Sequence, residues 1–420
     1  MREHAKYIYE NAIKDNLPDA AVKNALEGMP KYSGRLILVS IGKAGYQMAK
    51  TASSYFGEKI DSGIVITKYG HSGEPLTNIE ICEASHPILD ENTILSTRKA
   101  LKLTKKLTKD DLVLFLVSGG GSALFEDISC PLEKMQRLTS ELLRCGASIE
   151  EINTVRKHIS NVKGGKFAEH CYPATVYGIV LSDVIGNRLD MIASGPACDD
   201  MTTVEESFSI IEKYGVTVDE EIKSLIRRET PKKIDNAIHS VSGSVSYLAK
   251  SAEKYAKELG YEAIILRDDE QGEAKVVGKE LGKLAKKYAN TDTPKAFIIG
   301  GETVVNVKGN GKGGRNQELA LSAATVIDGL SSVCVFSVGS DGTDGPTDAA
   351  GGYADGKTAS KIEKSGKTAY EYLENNDAYN ALMLSDGLIF TGPTGTNVND
   401  VSVLLVKGAT ELGSNKPSLM

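Results

Sequence analysis

Apolar and polar positions follow one another along this chain in two rhythms. Short runs rich in β-branched residues and leucine occupy 36–41, 63–67, 112–117, 175–181, 263–266, 296–299, 333–338 and 401–406, each of strand length. Between them lie longer stretches, including 133–145, 244–259 and 274–288, whose apolar residues recur every third or fourth position. That is the spacing of a helix with one buried face. Strand-length runs alternating with helical segments predict βα units, a mainly parallel sheet and hence an α/β fold. A charged segment at 227–236 (RRETPKKIDN) holds a proline and has no apolar period. It is the best linker candidate, so the expectation is one domain at 1–235, a second at 236–420, and a cleft between them. No apolar run approaches the ~20 residues that a membrane-spanning helix needs.

Four of the predicted strands run straight into glycine-rich turns: LILVSIGKAG, LVLFLVSGGGSAL, AFIIGGETVV and VCVFSVGSDGTDG. At the carboxyl ends of parallel strands, backbone amides and helix N-termini attract anions, and glycine lets the main chain approach a phosphate closely. Four such turns point to a phosphate-type ligand. Ser118, Gly119, Gly120, Gly121 and Ser122 offer consecutive amides and two hydroxyls, a cradle for nucleotide phosphates; the alternative is a tight turn in which serine caps the next segment. Lys43, between Gly42 and Gly45, brings a compact positive charge suited to a carboxylate or a transferred phosphoryl group. Arg315 follows Gly313 and Gly314 at a predicted helix start, where its planar fork suits the same ligands.

Carboxylates gather near these turns: Asp183 in LSDVIGN, Glu302 in GGET, and Asp341 and Asp344 in SDGTDG. Together they could hold magnesium or orient an attacking hydroxyl, while each alone is equally well explained as capping its own turn. His86 could reach the substrate and His158 could face phosphate or solvent, though each is more often structural, and no HxxxH spacing marks a metal site. Two literal motif matches fail on context. GNGKGG at 309–314 fits the dinucleotide pattern GxGxxG but lacks the second strand followed by an acidic residue about twenty positions on. GGYADGKT at 351–358 fits the P-loop pattern, yet no buried strand leads into it and Asp355 sits inside it. It reads better as an extended segment ending in a turn, with Thr358 opening a helix.

Composition narrows the field. The 420 residues carry a formal net charge of −7, without the basic excess of a nucleic-acid-binding protein. The first residues, MREHAKYIYENAIKDN, are charged throughout and unlike a secretory leader, and the six cysteines are scattered with no CxxC pair. Both features point to the cytoplasm.

Taken in order, the blocks GKAG (42–45), VSGGGSAL (117–124), NTVRKHISNVKGG (153–165), LSDVIGNRLDMIASGP (181–196), GGET (300–303), GGRNQE (313–318), GSDGTDGPTDAAG (339–351) and NVND (397–400) resemble the glycerate 2-kinase family over nearly the whole chain. The resemblance implies a larger Rossmann-like three-layer α/β/α domain, a smaller C-terminal α/β domain of the MOFRL type, and an active site in the interdomain cleft. It implies ATP-dependent phosphorylation of D-glycerate at the 2-hydroxyl, giving 2-phosphoglycerate and ADP, with Mg²⁺ or another divalent metal. On the matching positions, Lys43 and Arg315 would bind glycerate and the migrating phosphoryl group. Residues Ser118 to Ser122 would hold ATP, with Asn187, Gly195 and Pro196 beside it. Asp183, Glu302 and Asp341 are the metal candidates, and Asp183 is also the candidate acceptor of the hydroxyl proton. Glycerate and ATP are the expected partners and a homodimer the suggested assembly, with no nucleic acid or membrane. The alternative, leaning on GxGxxG, is an NAD(P)H-dependent hydroxypyruvate reductase.

Overall fold

The computed structural model describes residues 1–182, 186 and 188–408. The apolar runs of the first half become the centre of one sheet: β1 (Leu36–Ile41), β2 (Ser62–Lys68), β3 (Ile79–Ala84), β4 (Leu112–Val117), β5 (Thr175–Leu181) and β6 (Ala237–Gly243). Their order is β3-β2-β1-β4-β5-β6, and β1 to β5 pair in parallel. Every residue of β1 and β4 is buried. Successive residues face opposite sides, so Ile37, Val39, Val113 and Phe115 pack with Phe125 and Phe167 on one face. Leu36, Leu38, Leu112 and Leu114 pack with Val22, Met48 and Ala49 on the other. The strand order reverses between β1 and β4, the place where open α/β sheets take their ligands. The GKAG turn leaves β1 and the SGGGS turn leaves β4, so both flank that reversal.

The second sheet holds β7 (Glu262–Glu270), β8 (Lys295–Gly301), β9 (Val333–Gly339), β10 (Gly351–Asp355), β11 (Leu388–Ile389) and β12 (Asp400–Val406), in the order β11-β10-β9-β12-β8-β7. The expected parallel arrangement fails here. Only β7 and β8 run parallel; β12 is antiparallel to both β8 and β9, and β10 to β9. The connection from β9 to β10 contains no helix, and a parallel return would need a crossover. The rejected P-loop match, 351–358, is strand β10 followed by a turn and the helix Thr358–Glu363, as its context predicts.

The chain divides into two compact units, Pro18–Ser242 and a second made of Met1–Leu17 with everything from Gly243 on. Both departures from the expected 1–235 and 236–420 have a packing cause. Strand β6 completes the first sheet, so 227–236 leads into that sheet and does not separate the units. The helix Arg2–Asp15 buries Ala5, Ile8, Tyr9, Ala12 and Ile13 in the same core as Leu248, Ala252 and Tyr255 of the helix Val245–Glu258. Among the described residues, no helix is long and apolar enough to cross a membrane.

Candidate active site

In the unit 18–242, the turns after β1 and β4 are tied together. The Lys43 amide donates to the Gly119 carbonyl at 2.9 Å. Ser118 Oγ accepts from the Ala44 amide at 3.1 Å and donates to the Ile41 carbonyl at 3.2 Å. Gly42 has φ +108°, and a Cβ there would lie 2.4 Å from the Ser118 carbonyl oxygen, so only glycine permits this approach. The Ser118 hydroxyl is thus engaged inside the protein. What the loop retains is backbone: among the described residues, the amides of Gly119, Gly120 and Ser122 have no hydrogen-bond partner. The Lys43 side chain is exposed beside them. A Cβ on Gly120, whose φ is +87°, would sit 3.1 Å from His86 Nε2 and 3.3 Å from Lys43 Cγ. Burial, then the charges of Lys43, Lys68 and His71, hold the His86 imidazole below its ordinary pKa, hence neutral at pH 7.

The loop rests on a strained segment. Ala193, Ser194 and Gly195 all adopt positive φ, at 52°, 61° and 62°, which costs a non-glycine residue about 1–2 kcal/mol. Ser194 Oγ meets Ser122 Oγ at 2.9 Å and donates to Asn153 Oδ1 at 3.1 Å. Gly195 and Pro196 are buried, and their carbonyls accept from the amides of Gly165 (2.7 Å), Phe167 (3.1 Å) and Ala168 (3.2 Å). These two expected nucleotide-binding residues therefore back the loop. Asp183 and Asn187 lie outside the described residues. His158 is fully buried, and its Nδ1 donates to the Arg228 carbonyl at 2.9 Å, so it meets neither phosphate nor solvent.

In the other unit the second set of motifs converges on Asp400. This first residue of β12 stands in register with Gly301 at the end of β8 and Gly339 at the end of β9. Both glycines lead directly into acidic turns, GGET and GSDGTDG. Asp400 is buried, and its Oδ2 and Oδ1 accept from Nε (2.5 Å) and Nη2 (3.0 Å) of Arg315. Arg315 Nη1 lies 3.2 Å from Oε1 of the exposed Glu302, whose Oε2 accepts from Asn399 Nδ2 at 3.0 Å. Asp341 Oδ1 accepts from the Thr343 amide at 2.9 Å. Asp344, buried, caps the helix Arg315–Ile327 by accepting from the amides of Asn316 (3.1 Å) and Gln317 (2.9 Å). Burial pushes its carboxyl up to about 7 against the pull of those amides. Asp344 is therefore a capping residue, and Asp400 is the one at this site to which sequence reasoning gave no role.

The GxGxxG match is structural. The side chains of Asn375, Asn376 and Asp377 accept from the amides of Lys308, Gly309, Asn310 and Lys312 at 2.7 to 3.2 Å. A Cβ on Gly309 or Gly311 would meet Asn375 or Asp377 at 2.4 Å. With Asp344 on the helix N-terminus, neither the loop nor the helix is free to take a pyrophosphate.

Two family profiles match the chain: the Domain of unknown function (DUF4147) at residues 4–227 and the MOFRL family at 295–400. The D-glycerate 2-kinase of Thermotoga maritima is 51% identical across 97% of this chain and 98% of its own length. The chain belongs to the glycerate 2-kinase family. A crystal structure of Thermotoga maritima glycerate kinase superposes with a TM-score of 0.93 over 96% of this chain and 99% of that one, at 50% identity. The glycerate 2-kinase of Pyrococcus horikoshii is 38% identical across 97% of each chain. A protein of Agrobacterium vitis named putative hydroxypyruvate reductase is 35% identical, over 96% of this chain and 94% of its own. In this glycerate 2-kinase family member the GxGxxG loop is packed against protein and does not supply that second name with a dinucleotide site.

Proposed function

We propose that this protein transfers the γ-phosphoryl group of ATP to the 2-hydroxyl of D-glycerate, releasing 2-phosphoglycerate and ADP. The observation that carries the reading is the set of amides at Gly119, Gly120 and Ser122 that are unpartnered among the described residues, beside Lys43 and at the strand-order reversal. Amides fixed in this way hold phosphate oxygens without reorganising, and Lys43 adds a mobile charge for the transferred group. Arg315 takes the glycerate carboxylate. Its grip on buried Asp400 fixes the guanidinium plane, and glycerate displaces the exposed Glu302 from Nη1. Phosphoryl transfer asks chiefly for alignment and charge neutralisation, which these two cations supply.

A divalent metal fits as a companion of the nucleotide. Among the described residues no group of three His, Cys, Asp or Glu side chains could hold one. Mg²⁺ needs only one or two carboxylates beside phosphate oxygens and water, and either Glu302 and Asp341, or Asp183 outside the described residues, would hold it. When bound it neutralises phosphate charge. The hydroxyl proton leaves to an acceptor for which Asp183 is the candidate.

Coupling the reaction to enolase without phosphoglycerate mutase tests this. Enolase signal on ATP and D-glycerate alone is expected. A signal that appears only after mutase is added means transfer to the 3-hydroxyl, and NADH consumption with hydroxypyruvate favours the reductase instead.

A further inference from the structure

The block NTVRKHISNVKGG brings many positive charges, and in the fold they serve an internal purpose. Lys163 is wholly buried, and its Nζ donates to the carbonyls of Ser122 and Phe125, both at 2.9 Å. Arg156, also buried, donates from Nη2 to the same Ser122 carbonyl at 2.9 Å. Between them stands Glu126, with no exposed surface, whose Oε2 lies 3.3 Å from Arg156 Nη2 and 3.5 Å from Lys163 Nζ. Its Oε1 accepts from Ser160 Oγ, which in turn accepts from the amides of Val162 and Lys163 at 3.1 Å each. Among the described residues, Arg156 Nε has no partner.

Such a group is a poor way to gain stability. Removing ions from water costs several kcal/mol each, and apolar side chains of equal volume usually serve a core as well. What this one delivers is position. Two cations from one segment grip a single carbonyl at the C-terminal end of the glycine loop, whose other end is stitched through Ser118 and the Gly119 carbonyl. Two positive charges against one negative also leave one positive charge buried behind the amides, where weak screening strengthens its pull on an anion. Burial draws the Lys163 ammonium down to about 8, so it stays charged at neutral pH.

We propose that Arg156 and Lys163, with Glu126 as shared counter-charge, are positioning residues that fix the 118–122 loop and raise its affinity for nucleotide phosphates. This rests on the reading of that loop as the ATP site. The test is Lys163→Met and Arg156→Met, assayed well below their melting temperatures. Each is expected to raise KM for ATP by about tenfold or more, the loss of a charged hydrogen bond, while KM for glycerate moves less than about twofold. Arg156→Lys, which keeps a cation at the Ser122 carbonyl, should recover most of the loss. Calorimetric titration with ATP alone gives the same comparison without turnover, so it separates this proposal from the kinase reading, which the wild-type enolase assay decides. Unchanged ATP affinity in folded Arg156→Met, or equal rises in both KM values, overturns the proposal.

Discussion

At the scale of single residues, the two halves of the proposed reaction depend on two cations of different character. Lys43 is exposed beside free amides, whereas Arg315 is held in a fixed plane by carboxylates. Lys43→Ala and Arg315→Ala should each lower kcat by about a hundredfold, the usual cost of removing a charge that stabilises a transition state. Steady-state kinetics checks this, and near-normal turnover in either folded variant removes that residue from the mechanism. Asp400→Asn should act through Arg315. An amide offers one acceptor and turns an NH₂ toward the guanidinium, so KM for glycerate should rise about tenfold while KM for ATP holds. Equal effects on both substrates would mean that Asp400 serves folding alone. Lys43 stood out as a candidate because a lysine between glycines at a strand end has few bland explanations. Asp400 did not, since its partner Arg315 lies 85 positions away at a helix start and only the fold brings the two together.

At the scale of elements, eight strands were legible as short apolar runs. Burial on both faces demands such a run in seven of them, while the edge strand β7 carries one although it is largely exposed. Strands β3, β6 and β11 were not read, and β10, though buried, was read only as an extended segment. Strand β3 (IEICEA) and β6 (AIHSVSG) lie at the two edges of their sheet and are only partly buried; β10 opens with two glycines and β11 has two residues. Glycine patterns misled for a related reason. GxGxxG records how tightly the loop packs on Asn375 and Asp377, and close packing against protein leaves the same signature as close approach to phosphate. One device at the far end of the first sheet is testable by pH. Asp111, buried at the start of β4, accepts from the Arg35 amide (2.7 Å), Arg35 Nη2 (2.8 Å) and the Thr108 amide (2.7 Å). These donors, Arg35 first, hold its carboxyl far below the ordinary range. A carboxylate with its pKa depressed by folding stabilises above its unfolded value, ~3.9, and loses that contribution as pH falls below it. Urea unfolding at pH 7 and pH 3 should show a smaller loss for Asp111→Asn than for wild type; equal losses would dismiss the residue as an acid-sensitive anchor.

At the scale of the molecule, the family, the α/β class and the order of the motifs were all legible, but the partition was not. An amphipathic first helix announces that it needs a partner without saying which. Here the partner core is built by residues from Gly243 on, and Ile8 is fully enclosed in it. Ile8→Ala should therefore destabilise that unit by about 2–5 kcal/mol, read as a lowered unfolding midpoint for probes within it. Lack of any shift would show the helix to be loosely attached. The same arrangement bears on biosynthesis. The helix Arg2–Asp15 is synthesised long before the helix Val245–Glu258 on which it docks, so for that stretch of elongation its oily face must stay unpaired or be shielded by a chaperone.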